Sequence, residues 1–356
     1  MIHKNVPRLV FWELTKKCNL KCAHCRAEAE DYSFTGELKL DEIKAIIDNI
    51  SSNYSPILVL TGGEPLYRED IFDIAEYATG KGLRTALATN GTLIDAAIAG
   101  KIKKSKIARV SISIDGVDAK SHDSFRGVDG AFNGALNGAG FLKEHGVEFQ
   151  FNTTITKRNV DHIEEILNLA IREKASALHI FMLVPVGCGI ELAESDMISS
   201  EKYEEALNWF YERSRQVGIE FKATCAPHYY RIIRQRAKAE GRVLSFETDG
   251  MAAMTRGCLA GTGVCFISNT GEVQPCGYLP VSTGNVLKTP FADIWEKSDL
   301  FLTLRDFKTL KGKCGACEFK AVCGGCRARA YYACDDLLEE EPYCLYEPGK
   351  MRDGIQ

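Results

Sequence analysis

The 356-residue chain has no apolar run approaching the roughly 20 residues that a membrane span needs. Its first residues, Met1-Ile-His-Lys-Asn-Val-Pro7, lack the apolar stretch of a secretory signal. No charge dominates: the formal net charge is −4 and the pI ≈ 6.0, so no global field favours nucleic acid or an anionic membrane. Low-complexity segments and short-period repeats are also missing. These absences predict a cytoplasmic globular protein that neither spans a membrane nor binds nucleic acid. At 45% hydrophobic and 26% charged residues, the chain can bury a sizeable core, and its length suffices for two domains. Cysteine is the abundant exception, at 14 residues. Without a secretory signal, that number argues against a disulfide framework and for metal binding in a reducing cytoplasm.

Three of these cysteines fall in one short stretch, Cys18-Asn-Leu-Lys-Cys22-Ala-His-Cys25, with the spacing CxxxCxxC. They follow an apolar run, residues 8–15, that reads as a strand. The strand therefore ends in a loop that brings three thiolates together. Three are one short of closing a tetrahedral zinc site or a four-iron cluster. A 4Fe–4S cluster held this way leaves one iron open to a ligand. The other reading is a zinc loop with His24 or a distant residue as its fourth ligand.

From residue 8 to about 185, strands and helices alternate. Strand-like runs cover 57–60, 83–88, 108–114, 147–154 and 177–184. Leu40 to Ile50 and Val160 to Ala170 carry apolar residues at helical spacing. The alternation predicts a parallel sheet with right-handed crossovers. Counting the first strand, there are six βα units, too few for the eightfold closed barrel. The fold class expected is α/β, an open six-unit partial barrel. Reactive groups in such folds sit at the C-terminal strand ends. There lie Gly62-Gly63-Glu64-Pro65, whose glycines permit close backbone approach and whose carboxylate can pair with an ammonium group. Ser111, Ser113 and Asp115 share one face of the fourth strand by alternation, and Asn152 and Thr154 one face of the fifth.

Residues 186–250 break the pattern. Glu201 to Val217 reads as an amphipathic helix. The run 221–236 then gathers His228, Tyr229, Tyr230, Arg231, Arg234 and Arg236, with Arg231 and Arg234 on one helix face. From residue 251 cysteines cluster: Cys258, Cys265, Cys276, the pairs Cys314-x-x-Cys317 and Cys323-x-x-Cys326, and Cys344. Eight thiols suffice for two fully ligated four-iron clusters, or for structural zincs. The divisions expected are 1–195, a bridging helical segment at 196–250, and a cysteine-rich domain at 251–356.

The CxxxCxxC loop resembles the signature of the radical S-adenosylmethionine (SAM) superfamily, with His24 in a position usually aromatic. The resemblance implies that Cys18, Cys22 and Cys25 hold a 4Fe–4S cluster whose open iron binds SAM. It implies that Gly62, Gly63, Glu64 and Pro65 form the motif that holds the SAM amino group. Ser113 and Asp115 would meet the ribose, with Asn152 a further candidate. Arg126, in His122-Asp-Ser-Phe-Arg126-Gly127, would meet the SAM carboxylate, and Val184 would pack near adenine. The C-terminal cysteines are similar to the SPASM domain of auxiliary clusters, although Cys323-Gly-Gly-Cys326 is one residue shorter than that pattern. By this likeness Cys258, Cys265, Cys276 and Cys326 would hold one auxiliary 4Fe–4S cluster. Cys314, Cys317, Cys323 and Cys344 would hold a second. Cys188, Cys225 and Cys334 are left as buried, inert thiols.

The runs 181–189, 222–231, 256–267 and 323–330 resemble the haem synthases of the sirohaem-dependent pathway. That family oxidatively decarboxylates two propionates of Fe-coproporphyrin III to vinyl groups, giving haem b. The likeness implies Fe-coproporphyrin III as substrate and a low-potential electron donor such as ferredoxin or flavodoxin. A four-carboxylate substrate calls for arginines. The candidates for its site are His228, Tyr229, Arg231 and Arg234, with His228 also a possible haem-iron ligand. The open alternatives are a haem d1 synthesis enzyme, a peptide-modifying maturase and a non-catalytic electron carrier.

Overall fold

The computed structural model describes residues 5–349; the termini 1–4 and 350–356, parts of the expected first and last domains, lie outside the described residues. The six expected strands form as β1 (Leu9–Glu13), β2 (Ile57–Thr61), β3 (Arg84–Thr89), β4 (Arg109–Ser113), β5 (Phe149–Ile155) and β6 (Ala177–Met182). They pair in parallel, in chain order. The helices between them are α1 (Leu40–Asn53), α2 (Ile71–Gly80), α3 (Ala96–Lys104), α4 (Ala119–Arg126), α5 (Ala131–Glu144) and α6 (Ile163–Arg172).

The strand pattern explains both faces of the sheet. Val10, Trp12, Leu58, Leu60, Leu87, Val110, Ile112, Phe151 and Ile180 are all fully buried. They meet helix stripes such as Ile43, Ile46, Ile47 and Ile50 of α1, or Ile163, Ile166, Leu167 and Ala170 of α6. The alternate residues, including Ser111, Ser113, Asn152, Thr154 and His179, are half-buried. In register, Ser113 lies opposite Asn152, which lies opposite His179. The polar row thus lines the inner side of the curved sheet.

The sheet does not stop at residue 195. After the short helix α7 (Ala193–Asp196), the stretch expected to be a helical bridge contains α8 (Ser200–Ser214), β7 (Glu220–Thr224) and α9 (His228–Ala239). β7 pairs in parallel with β6. Two short helices, α10 (Phe246–Asp249) and α11 (Met251–Met254), lead to β8 (Val264–Ile267), β9 (Glu272–Gln274) and β10 (Gly284–Asn285). β8 returns to pair in parallel with β1. The order β10-β9-β8-β1-β2-β3-β4-β5-β6-β7 leaves β7 and β10 as the edges, so the barrel is open. The chain finishes with α12 (Phe291–Lys297), α13 (Asp299–Arg305), α14 (Gly312–Ala316) and α15 (Arg327–Cys334). Among the described residues, no helix is long and apolar enough to cross a membrane.

Candidate active site

The loop after β1 is clamped by the turn after β2. Gly63 N donates to Thr15 O at 2.7 Å and Glu64 N to Lys17 O at 2.8 Å. A Cβ on Gly62 would lie 2.5 Å from Thr15 O, and one on Gly63 2.5 Å from Lys17 O. The glycines do serve a close backbone approach, but the partner is the protein's own cysteine loop, and neither φ is positive.

That loop gathers Cys18, Cys22 and Cys25 within range of one another's charge. Cys18 Sγ accepts from Leu20 N and Cys25 Sγ from Ala29 N, both at 3.4 Å, and Cys22 Sγ accepts from Arg126 at 3.6 Å. Burial, with repulsion from Glu64, Cys22 and Cys25, pushes the Cys18 thiol up to about 12. Burial raises Cys22 as well, against Arg126. Three thiolates here need positive charge, which coordinated iron supplies. The donor set fits a cluster.

Glu64 is fully buried. Its carboxylate accepts from Thr89 Oγ1 at 2.8 Å, Asn90 N at 2.8 Å and Leu66 N at 3.1 Å. Among the described residues no cation pairs with it. Burial outweighs those donors and pushes its carboxyl up to about 7. A buried carboxylate short of a cation suits an ammonium ligand. Pro65, also buried, opens the short 3-10 turn that Glu64 caps.

Asp115 and Arg126, expected to meet the ribose and the carboxylate of SAM, are also partners of one another. They pair with each other at 2.5 Å, and His24 Nε2 stands 3.5 Å from the same carboxylate. Burial alone would raise Asp115, but Arg126, His24 and His122 hold it below the usual range. Thr154 N takes its other oxygen at 2.7 Å. His24 stacks on Phe125 at 4.1 Å and is held down to about 4 by burial, against Asp115. The histidine thus fills the aromatic position as a neutral ring in a stack. Arg126 Nε and His24 Nδ1 remain buried without a hydrogen-bond partner. Ser113 and Asn152 face each other on the inner row, with Gln150 donating to Asn152 at 2.8 Å. Val184, expected near adenine, packs with Leu279, Cys326 and Ala328 of the C-terminal segment, in an apolar seam.

The C-terminal thiols form two groups. Cys314, Cys317, Cys323 and Cys344 line one cavity of ≈ 410 Å³, counting its mouth. Phe319 N donates to Cys317 Sγ at 3.3 Å, while Glu341 N and Arg327 donate to Cys314 Sγ at 3.4 and 3.6 Å. Cys258, Cys276 and Cys326 form the other group, each within range of the others' charge. Gly324 and Gly325 are both left-handed, φ 78° and 60°. That conformation lets the short CxxC send Cys323 to one group and Cys326 to the other. Cys265 is not brought to either. It lies on β8 opposite Val10, fully buried in the main core, with Arg305 as its charged neighbour. Among the described residues, no three His, Cys, Asp or Glu converge closely enough to close on a single metal ion.

The residues expected on α9 to meet the porphyrin all have protein partners. His228 and Arg231 line the cavity of the Cys314 group. His228 is fully buried, 4.0 Å from Glu341, and Arg231 pairs with Glu204 at 2.5 Å and lies over Tyr346. Arg234 donates to Tyr230 O at 2.8 Å, and Tyr229 packs edge-on against Phe210. Arg236 pairs with Glu212 on the surface. The first turn of α9 is buried, and its later residues reach the surface. Two remaining thiols also differ from expectation: Cys334 is exposed and Cys188 half-buried, its N donating to Cys25 O at 2.9 Å.

Sequence reasoning missed the buried polar frame between the two thiol groups. Arg329 and Glu341, both 1% exposed, pair at 2.8 Å, and Glu341 accepts from Cys326 N at 2.6 Å. The signal lies in Cys326-Arg-Ala-Arg329: arginines directly after a cysteine of the expected ligand set. Arg26 was missed too. It pairs with Glu13 at 2.6 Å, lies over Phe266, and would be 3.4 Å from a Cβ on Gly277. One side chain thus runs from beside Cys25 to beside Cys276.

A three-thiol loop clamped to a buried carboxylate at the mouth of an open barrel, with grouped thiols behind it, defines a radical SAM enzyme with a C-terminal iron–sulfur segment. Comparison with known proteins agrees. The model of the Radical SAM superfamily matches residues 12–170, and that of the SPASM iron–sulfur cluster-binding domain matches 258–318. The chain is 53% identical to the AdoMet-dependent heme synthase of Methanosarcina barkeri, over 97% of this chain and 98% of that one. It is 52% identical to the AdoMet-dependent heme synthase of Nitratidesulfovibrio vulgaris, over 97% of this chain and 94% of that one. The fold matches Streptococcus suis SuiB bound to S-adenosylmethionine with a TM-score of 0.75 at 19% identity, covering 96% of this chain and 78% of that one. The chain belongs to the radical SAM superfamily, in its SPASM-bearing branch, whose cofactors are SAM and iron–sulfur clusters.

Proposed function

We propose that this enzyme converts Fe-coproporphyrin III to haem b by oxidatively decarboxylating two propionates to vinyl groups, in an anaerobic cytoplasm. The observation that carries the reading is the 53% identity to a relative named AdoMet-dependent heme synthase, spread over barrel and C-terminal segment alike. When bound, SAM and its cluster supply abstraction of a propionate β-hydrogen, after which carbon dioxide and one electron leave and the two remaining carbons become the vinyl group.

The chain's own residues divide the rest of the work. Cys18, Cys22 and Cys25 hold three irons and leave the fourth for SAM. The Gly62-Gly63 turn fixes their loop, and Glu64 takes the SAM ammonium. Ser113 and Asn152 face the ribose. Asp115 and Arg126 hold each other, the Cys22 side of the loop and the His24 ring. The arginine leaves its unpaired Nε for the SAM carboxylate. The substrate lies between the barrel mouth and the C-terminal segment, where Arg26 spans from Cys25 to Gly277 beside Cys276. That contact supports an electron leaving the substrate toward the first C-terminal thiol group. Two auxiliary clusters are proposed, with ferredoxin or flavodoxin supplying the first electron.

Anaerobic incubation with SAM, a reductant and Fe-coproporphyrin III tests this. Mass analysis should show the porphyrin losing two carbon dioxides and four hydrogens. SAM cleavage without porphyrin conversion would shift the reading to haem d1 synthesis or peptide modification. No SAM cleavage would leave only an electron carrier.

A further inference from the structure

With Cys265 in the main core, the first C-terminal group holds three assigned thiols and lacks a fourth. The structure offers one from outside the cysteine-rich segment. Cys225 follows β7 directly and sits at φ 53°, a left-handed conformation that non-glycine residues rarely adopt. Its carbonyl accepts from Arg329 Nη2 at 2.7 Å and Tyr203 Oη at 3.0 Å. Arg329 pairs with Glu341, which accepts from the amide of Cys326. Cys225 and Cys326 are therefore fixed by the same buried ion pair.

The neighbouring segments close the arrangement. Cys225 and Cys276 pack against the same apolar seam, formed by Val184, Leu279, Cys326 and Ala328. Cys258 N donates to Cys323 O at 3.0 Å, which ties it to the Cys323–Cys326 turn. A Cβ on Gly257 would meet Pro227 Cα at 2.6 Å, so the strand-end loop and the Cys258 loop press together. The segments 225–227, 257–258, 276–279 and 323–326 meet at one place. The Cys225 thiol, pushed well up by burial, feels the charge of Cys326, Cys276 and Cys258.

We propose that Cys225 is the fourth thiolate of the first auxiliary iron–sulfur centre, with Cys258, Cys276 and Cys326, and that Cys265 is a core residue that takes no iron. This rests on the iron–sulfur reading of the SPASM segment and is independent of the porphyrin. It means that a strand of the barrel sheet supplies one ligand, so the centre joins the two parts of the fold. It also means that all four irons are held by protein, leaving no open iron for substrate. The centre is then built to pass electrons.

The test uses full-length protein carrying Cys18→Ala, Cys22→Ala and Cys25→Ala, so that only auxiliary centres report. Cys225→Ser, Cys225→Gly and Cys265→Ala are added singly and reconstituted anaerobically. Iron and sulfide are counted, and the reduced proteins examined by electron paramagnetic resonance. Cys225→Gly relaxes the left-handed backbone while removing the thiol, so iron lost from it reports ligation. Both Cys225 variants should lose about four irons per chain, or keep them with a shifted signal. Cys265→Ala should keep the parental iron and signal. Parental iron and an unshifted signal in Cys225→Gly would overturn the proposal, as would loss of a cluster in Cys265→Ala. Zinc in place of iron in the parental protein would overturn it together with the iron–sulfur reading.

Discussion

The amide of Glu64 donates to the carbonyl oxygen of Lys17 at 2.8 Å, one residue before Cys18, the first of the three loop cysteines. The same glutamate caps its own turn and accepts from the end of β3 through Thr89 and Asn90. One residue therefore joins three loops at the barrel mouth, and its carboxylate is left buried without a cation.

Gly63→Ala should disturb the cysteine loop. The new methyl would lie 2.5 Å from Lys17 O and 2.6 Å from Lys16 O, both backbone atoms. Overpacking of this kind costs about 1–3 kcal/mol. The variant should lose the iron of the first cluster and most SAM cleavage while keeping its C-terminal iron. Iron counting and deoxyadenosine release check both, and wild-type values in both would remove the clamp from the account.

Glu64 gives the SAM-free protein a pH dependence. Its folded carboxyl is raised to about 7 from 4.5, so between these values the folded state binds more protons than the unfolded one. Stability should fall as pH rises through that window, by about 3 kcal/mol from this group. Saturating SAM should reduce the loss by bringing an ammonium, and Glu64→Gln should remove this component. Denaturant melts across pH 5–8, with and without SAM, measure it. A wild-type slope in Glu64→Gln would assign the dependence to other groups.

Asp115 behaves in the opposite sense. Its depressed carboxyl contributes stability that is present above about pH 3.9 and is lost as pH falls through the folded value. Asp115→Asn should cost about 3–5 kcal/mol by leaving Arg126 buried without its partner. A melting curve of the variant near neutral pH reads this cost. A loss below about 1 kcal/mol would mean that Arg126 finds another partner.

The local spacings were the most legible part of the sequence. CxxxCxxC and Gly-Gly-Glu-Pro are short, so the chain itself sets their geometry, and periodicity marked β1 to β6 as runs shifted by a residue or two. The rest depended on contacts made far along the chain. Arg231 and Arg234 share a helix face and read as candidates for porphyrin carboxylates, and only the fold shows that Glu204 of α8 and the Cys314 cavity enclose Arg231. Cys265 reads as a ligand from its place among cysteines. Its strand, Val-Cys-Phe-Ile, pairs with β1 so that Cys265 lies beside Val10 on the same core face. Asp115 and Arg126 were each sound candidates singly, and only the fold shows that they meet.

Arg231→Gln should lower stability by about 3 kcal/mol, because it strips Glu204 of its partner. Arg234→Ala, which loses one bond to a backbone carbonyl, should cost about 1 kcal/mol. Porphyrin affinity should be unchanged in both. Titration of each variant with Fe-coproporphyrin III, beside a thermal melt, separates the two effects, and a tenfold loss of affinity at full stability would return α9 to the substrate site.

In the proposed reaction a propionate β-hydrogen is transferred to the deoxyadenosyl group and the carboxylate of the same propionate is lost as carbon dioxide. Fe-coproporphyrin III deuterated at the propionate β-carbons tests it in one anaerobic reaction. Each 5′-deoxyadenosine coupled to turnover should carry one deuterium, and the porphyrin product should be vinyl-bearing haem. Unlabelled deoxyadenosine accompanied by a porphyrin with all four carboxylates intact would contradict it.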